Sequence, residues 1–215
     1  MPRSRFYNLP EEKRAAILDA AAEEFAKDGF EGTSYNQIIE RAGVSKGAMY
    51  YYFDDKEDLF GTVVQDAIGR MIDLVKDFPQ VETPEEFLDE LDKMIHVVGE
   101  YTKEHRRDLE LMRGLLRAEK GTFQLEILRE IRQKNQVLVE SILKQGQSVG
   151  AVRTDIPLSL LISIVEAQDE TTDRWMAGLD ETQTQEGLEN WMRFAQNLMK
   201  RLILEGNILA NLYAG

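Results

Sequence analysis

The feature that most constrains the fold is a stretch of 21 residues, Thr33–Phe53, which reads TSYNQIIERAGVSKGAMYYYF. Its first half places Ile38 and Ile39 on one face of a helix of about two turns. Gly43 follows, where a glycine can adopt the left-handed conformation that ends a helix, and Ser45 is a good N-cap for a second helix. The stretch therefore predicts two short helices joined by a tight turn.

The second of these helices is about 10 Å long at about 1.5 Å per residue, and so fits a DNA major groove roughly 12 Å wide. Val44, Met49 and Phe53 are predicted to pack inward. The residues left on or near the outer face combine a cation, small residues and phenolic donors: Lys46, Gly47, Ala48, Tyr50, Tyr51 and Tyr52. This combination predicts a helix-turn-helix surface that binds DNA.

Several of these residues also resemble a known family. Thr33-Ser34, Ala42–Gly47, Tyr50, Tyr52-Phe53 and Lys56–Leu59 are similar, in order and spacing, to the DNA-binding domain of the tetracycline-repressor (TetR) family of bacterial transcription regulators. The resemblance covers about the first 60 residues. It implies an all-α fold with a three-helix helix-turn-helix domain at residues 1–55 and a helical effector-binding and dimerisation domain at residues 56–215.

The candidate DNA contacts follow from this motif. Tyr50 is expected to contact a phosphate and Tyr51 a base or a phosphate, while Lys46 and Ala48 are the candidates for base edges. Lys56 opposes the dipole of the helix that it begins, so something outside that helix, such as a DNA phosphate, must stabilise it. The full candidate set is Thr33, Ser34, Ser45, Lys46, Gly47, Ala48, Tyr50, Tyr51, Tyr52 and Lys56.

Two positions near this set have alternative interpretations. The hydroxyls of Thr33 and Ser34 either cap the next helix or bind a phosphate, and the resemblance favours Thr33 as the phosphate contact. Arg3 and Arg5 lie in an N-terminal arm that is either a solvated tail or, as in some members of the family, a segment that reaches the minor groove.

The net charge of −13 is unusual for a DNA-binding protein, so its distribution matters. Residues 1–56 contain 8 Lys and Arg against 10 Asp and Glu, a net charge of −2, whereas residues 57–215 contain 18 against 29, a net charge of −11. An acidic second part repels DNA from surfaces other than the helix-turn-helix. We therefore expect binding that weakens steeply with salt.

Composition argues against an enzyme. The chain has no cysteine, which excludes disulfides, a thiol nucleophile and zinc-cysteine sites, and His96 and His105 lack the spacing of metal ligands. No glycine-rich phosphate loop is present, so neither a metal nor another cofactor is expected. The sequence has neither a signal-peptide core nor a segment long enough to span a bilayer, so we expect a soluble, cytoplasmic protein with no membrane partner.

The rest of the chain is predicted to be helical at residues 56–78, 84–105, 106–118, 123–147, 158–177 and 186–211. By resemblance, the first of these connects the two domains and the last two form a homodimer interface. Candidate ligand-pocket residues are Met94, Met112, Glu166 and Trp175. Carboxylates on the 158–177 helix either form a solvated face or attract a cationic ligand.

The resulting hypothesis is a DNA-binding regulator, most simply a repressor that a small-molecule effector releases from a palindromic operator. A symmetric dimer would reach half-sites about 34–36 Å apart. Two alternatives stay open at this point. One is a regulator gated by a protein partner without a small-molecule effector, and the other is an unrecognised hydrolase or binding module.

Overall fold

The computed structural model describes residues 2–117 and 122–178, together with positions 187, 190, 194, 197, 200, 201, 203 and 204. Its named helices are α1 (Ser4–Tyr7), α2 (Glu11–Gly32), α3 (Tyr35–Arg41), α4 (Lys46–Tyr52), α5 (Lys56–Asp73), α6 (Pro84–Glu104), α7 (Arg106–Arg117), α8 (Thr122–Ser148) and α9 (Leu158–Gly178). Between described residues, the only β-type pairing is one isolated antiparallel bridge, from Val152 to Leu204. The predicted all-α class is confirmed.

Most predicted helices agree with the structure to within a few residues. The exception is the helix predicted at residues 56–78, since α5 ends at Asp73 and residues 74–83 form turns and irregular chain. The helix predicted at residues 186–211 lies largely outside the described residues, although positions 187, 190, 194, 197, 200, 201 and 203 are helical. The homodimer interface that includes this helix therefore stays a prediction.

The chain forms two compact units, of which the first holds residues 1–70 and 105–129 and the second residues 71–104 and 130–215. The predicted DNA-binding domain, residues 1–55, falls within the first unit. In sequence, the first unit carries 15 Lys and Arg against 17 Asp and Glu, a net charge of −2, and the second 11 against 22, a net charge of −11. The acidic excess thus belongs to the second unit.

Aromatic rings fill much of the core of the first unit. Phe25 and Phe60 are buried and meet edge to face with ring centroids 5.0 Å apart. The ring of Phe30 lies 5.2 Å from that of Phe60 and 4.9 Å from that of Phe123, so the core joins α2, α5 and the start of α8. Helix α7 packs along α2. These contacts give the short helices α3 and α4 a rigid support.

The second unit has an aliphatic core centred on Phe87. It combines residues from α6, α8, α9 and the segments around them: Phe87, Leu91, Ile142, Leu143, Ala151, Val152, Leu161, Ile162, Val165, Ile203 and Leu204. At Gly146 of α8, an added Cβ atom would lie 2.7 Å from Cζ of Phe87 and would also collide with Val152. The packing of this unit therefore requires glycine at position 146.

Gly146→Ala is expected to lower the free energy of unfolding by about 1–3 kcal/mol, because the added methyl group overpacks the core. Gly69→Ala is the matched control, since a Cβ at that helical position meets nothing within 4 Å. The control should raise the free energy of unfolding by about 0.5–1 kcal/mol. Urea unfolding followed by circular dichroism measures both, and equal stability of Gly146→Ala and wild type would contradict the close packing.

Candidate nucleic-acid interface

The chain enters the helix-turn-helix through a break at the end of α2. Gly29 has a φ of +68°, which interrupts the regular helix three residues before the end of α2. The hydroxyl of Thr33 donates to the carbonyl of Gly29 at 2.6 Å and lies 3.0 Å from that of Glu24. Thr33 is only 3% exposed, and Ser34, the N-cap residue of α3, makes no side-chain cap bond. The Thr33 hydroxyl is therefore used inside the protein, and its expected contact with a phosphate stays a prediction.

Lys56 also has its partners within the protein. Its ammonium group donates to the carbonyl of Phe30 at 2.7 Å and to that of Thr33 at 3.1 Å. It also lies 4.4 Å from the centroid of the Phe30 ring, in cation–π geometry. The sequence correctly indicated that something outside α5 stabilises this cation, but in the structure the end of α2 supplies the acceptors. Lys56 thus supports the helix-turn-helix instead of lying on its outer face.

The turn between α3 and α4 has the predicted chemistry. Gly43 has a φ of +64°, in the left-handed region, and the Ser45 hydroxyl caps α4 by accepting from the backbone N–H of Ala48 at 3.1 Å. Met49 and Phe53 are fully buried, as expected, which fixes the inner face of α4. The position and orientation of α4, the candidate recognition helix, are therefore set by one polar cap and two buried apolar residues.

The outer face of α4 carries the predicted contact residues. Tyr50 and Tyr51 are 43% and 47% exposed. Lys46 and Gly47 are exposed as well, whereas Ala48 and Tyr52 are half-buried. Ser34 and Ser45 are exposed at the starts of α3 and α4. Since capping uses only an acceptor position of the Ser45 hydroxyl, its O–H can still donate to a phosphate.

The N-terminal arm is ordered against α4, unlike the solvated tail that was one expectation. Phe6, in α1, is 1% exposed, and its ring centroid lies 4.8 Å from that of Phe53. The backbone N–H of Arg3 donates to the carbonyl of Tyr52 at 2.9 Å. The alternation of Phe6 with polar neighbours gave little sign of this packing, because one apolar residue is not a periodic pattern.

The two arginines of the arm are held by groups at the end of α4. The guanidinium of Arg3 donates to the Asp54 carboxylate at 3.0 Å and to the carbonyl of Tyr50 at 3.2 Å. The guanidinium of Arg5 lies 4.4 Å from the centroid of the exposed Tyr51 ring. Asp54, whose charge is unfavourable beside DNA, is thus paired with a cation of the same protein.

Tyr35 is a further residue that the sequence did not single out. Its hydroxyl is buried without a hydrogen-bond partner, and its ring packs edge to face on that of Tyr50 at 5.3 Å. Burial, together with the nearby Tyr50, Asp58 and Asp55, raises the pKa of the Tyr35 hydroxyl well above its ordinary value of 10.0. Tyr35 therefore stays uncharged and supports the ring of Tyr50 from the inner side.

The four residues proposed for a ligand pocket do not belong to one unit. Met112 lies in the first unit, and Met94, Glu166 and Trp175 lie in the second. Trp175 is 50% exposed, whereas Met94 and Glu166 are half-buried. The second unit also contains an unexpected feature, Gln168, which is 8% exposed and has neither amide atom hydrogen bonded. Its position between Val165 and Thr172 was a usable signal, because it places a polar residue on an apolar helix face.

Two other kinds of site, a metal centre and a membrane-spanning helix, are absent from the described residues. In residues 2–117 and 122–178 and the eight later positions, no three His, Asp or Glu side chains lie together as metal ligands. No helix in that part of the chain combines the length and apolar character needed to cross a membrane.

A short capped helix that presents a cation and two phenols, held behind by buried side chains, defines a helix-turn-helix DNA-binding protein. The model of the family described as bacterial regulatory proteins, tetR family, matches residues 17–63, which include α3 and α4. Residues 17–63 thus match the DNA-binding domain of that family, and the chain is a DNA-binding transcriptional regulator.

Known relatives extend the similarity over most of the chain. The HTH-type transcriptional repressor AcnR of Corynebacterium glutamicum is 25% identical over 194 residues, which cover 89% of this chain and 95% of AcnR. The fatty acid metabolism regulator protein of Bacillus subtilis is 26% identical over 175 residues, with 76% and 84% covered. The structure of SmeT, the repressor of the Stenotrophomonas maltophilia multidrug efflux pump SmeDEF, matches with a TM-score of 0.73 at 19% identity, over 90% of this chain and 91% of SmeT.

Lys56→Met is expected to lower the free energy of unfolding by about 1–3 kcal/mol, because it leaves the carbonyls of Phe30 and Thr33 without their charged donor. Lys46→Met, at an exposed position, is the matched control and should change stability by less than about 0.5 kcal/mol. Urea unfolding of the two variants measures the difference. Equal stability would mean that Lys56 has no supporting role.

Proposed function

We propose that this regulator binds a palindromic double-stranded DNA operator as a homodimer and represses transcription until a small-molecule effector releases it. The observation that carries the proposal is the outer face of α4, where Lys46, Tyr50 and Tyr51 are exposed while Met49 and Phe53 are buried behind them. Such a face can enter a major groove and combine base contacts with phosphate contacts.

The proposed contacts divide into two kinds. Lys46 and Ala48, in the first turn of α4, read base edges, since lysine donates to guanine and an alanine methyl contacts the methyl group of thymine. Tyr50 and Tyr51 donate hydroxyl groups to the backbone or, for Tyr51, to a base. Ser34, Ser45, Gly47 and Tyr52 complete the proposed interface, and Thr33 and Lys56 hold its supporting turn.

The distribution of charge supports a single DNA-binding face. The second unit, with a net charge of −11, repels the phosphate backbone, whereas the first unit is close to neutral overall. Pairing of Asp54 with Arg3 also reduces the repulsion at the C-terminal end of α4. DNA is therefore expected to approach by the helix-turn-helix and to lose affinity steeply as salt screens the attraction.

The remaining parts of the proposal concern assembly and control. A homodimer through the last two helices would place two recognition helices on half-sites about 34–36 Å apart. The proposed effector is a small molecule that enters the second unit, which contains a buried Gln168 amide without a hydrogen-bond partner. The proposed place of action is the cytoplasm, where the operator DNA is found.

Selection of bound sequences from a random DNA pool is expected to yield a palindrome, because a symmetric dimer contacts two equivalent half-sites. Titration of the selected DNA at several salt concentrations should give a steep linear fall of log affinity with log salt. Lack of enrichment with folded, effector-free protein would contradict the proposed function. Enrichment of a single, non-repeated half-site would support DNA binding but contradict binding as a symmetric dimer.

The proposed division of labour on α4 predicts different effects for two substitutions. Lys46→Ala should weaken binding to the selected operator by about 1–3 kcal/mol, because it removes a base contact. It should also relax the sequence preference at one base pair. Tyr50→Phe should weaken binding to all sequences by a similar factor, because it removes a phosphate contact. Competition titrations with operators changed one base pair at a time measure both effects.

Tyr35→Phe is the matched control for Tyr50→Phe. It removes a hydroxyl that is buried and has no partner, so DNA affinity should be unchanged and stability unchanged or higher. Uniform weakening by both Lys46→Ala and Tyr50→Phe would refute the separation of base and phosphate contacts. If Tyr35→Phe weakened DNA binding, the assignment of the phosphate contact to Tyr50 would be wrong.

A further inference from the structure

Gln168 is a buried polar side chain that the fold of the second unit leaves unsatisfied. It is 8% exposed, and both its carbonyl oxygen and its amide nitrogen are buried without a hydrogen-bond partner. Buried amides in native proteins are nearly always paired, so an unpaired one indicates a functional group or a bound molecule. Gln168 therefore offers one donor group and one acceptor to a third group.

The surroundings of Gln168 are mainly apolar. On α9, Leu161 and Val165 precede it on the same face and Thr172 follows, all three buried. The hydroxyl of Thr172 contacts the carbonyls of Gln168 and Asp169 in its own helix, so it does not pair with the amide side chain. A ligand that reaches Gln168 must therefore bring both a hydrogen-bonding group and an apolar body.

The apolar residues that precede Gln168 on its face of α9 are part of the buried core of the second unit. Leu161 and Val165 belong to the buried cluster around Phe87, but other apolar side chains that pack on this cluster are only half-buried, among them Met94, Ile95, Leu138 and Val139. These side chains are aliphatic or thioether groups that carry no hydroxyl, amide or charged group. They suit a flexible hydrocarbon chain better than a polar or planar ligand.

The charges of the second unit favour a neutral group as the partner of Gln168. The second unit carries 22 Asp and Glu against 11 Lys and Arg, which disfavours an anion. A cation would find Glu170 already paired with Arg132 at 3.1 Å and with Arg174. A neutral group that offers one acceptor and one donor satisfies both amide atoms without a counter-charge.

We propose that Gln168 is the hydrogen-bonding contact for an uncharged, mainly aliphatic effector that carries one carboxamide-like group. The proposal rests on the ligand-gated regulator described above and specifies the chemistry of its effector. The side chain of Gln168 pairs with the donor and acceptor of the effector, and the half-buried aliphatic residues contact its hydrocarbon part.

The first test is the stability of ligand-free Gln168→Leu. Leucine removes two unpaired polar atoms from an apolar site, so the melting temperature should rise by about 2–6 °C. Gln133→Leu, at an exposed position of α8, is the matched control and should leave it unchanged. A fall in the melting temperature of Gln168→Leu would show a structural role for the amide and overturn the assignment.

The second test compares three probes with the same hydrocarbon chain: octanamide, octanoate and octylammonium. Calorimetric titration of wild type should show the tightest binding for octanamide. Gln168→Leu should weaken octanamide binding about tenfold or more, and Gln133→Leu should not weaken it. No binding of octanamide to wild type, a preference for either ionic probe, or equal binding by Gln168→Leu would each overturn the proposal.

These measurements need no DNA, so they separate the effector assignment from the proposed function. A protein that selects a palindromic operator but fails the probe test loses only the assignment to Gln168. A protein that binds octanamide through Gln168 but enriches no DNA retains the ligand site and contradicts the DNA-binding function.

Discussion

The break in α2 at Gly29 leaves backbone carbonyl groups without partners inside the helix, and a buried carbonyl costs roughly 1–3 kcal/mol if it stays unpaired. The Thr33 hydroxyl pairs with Gly29, and the Lys56 ammonium pairs with Phe30 and Thr33. Thr33 begins the link to α3 and Lys56 begins α5. The bonds at this one break thus connect α2 with the link to α3 and with the start of α5. The outer face of α4 depends on that connection.

The recognition helix needs such external support because it is short. Isolated helices of fewer than about 12 residues are marginal in water, and α4 has seven residues. Its order comes from the Ser45 cap, from the burial of Met49 and Phe53, and from Phe6 packed behind its end. Because these groups fix the inner face, the outer face is free to carry residues chosen for contact with DNA.

Local sequence signals predicted the parts of this site that are determined locally. Gly43 and Ser45 act within one turn of the chain, so their conformation and capping could be read directly from neighbouring residues. Thr33 and Lys56 were assigned to the DNA face because the motif places them near it. The acceptors of Lys56 lie 23 and 26 residues away, and no local pattern reveals such partners.

The second unit was less predictable for a related reason. Helix periodicity located α6, α8 and α9, but a ligand site depends on which side chains the core leaves unsatisfied. Gln168 lies at an inward position of an apolar face, which is visible in the sequence, yet only the structure shows that neither amide atom has a partner. Predicted pocket residues chosen by chemical type, such as Trp175, include side chains that are largely exposed.

The proposed pairing with Gln168 would explain how a weakly polar ligand controls the regulator. A ligand that pairs with this buried amide would recover its desolvation cost in addition to burying its own apolar surface. A ligand changes DNA affinity only if it binds one form of the protein better than the other. Helices α5 and α8 each contribute residues to both units, so a rearrangement around Gln168 has a continuous backbone route toward the DNA-binding unit. Filling position 168 with an apolar residue would stabilise the protein and remove this response, a trade-off between stability and function that favours retention of the polar residue.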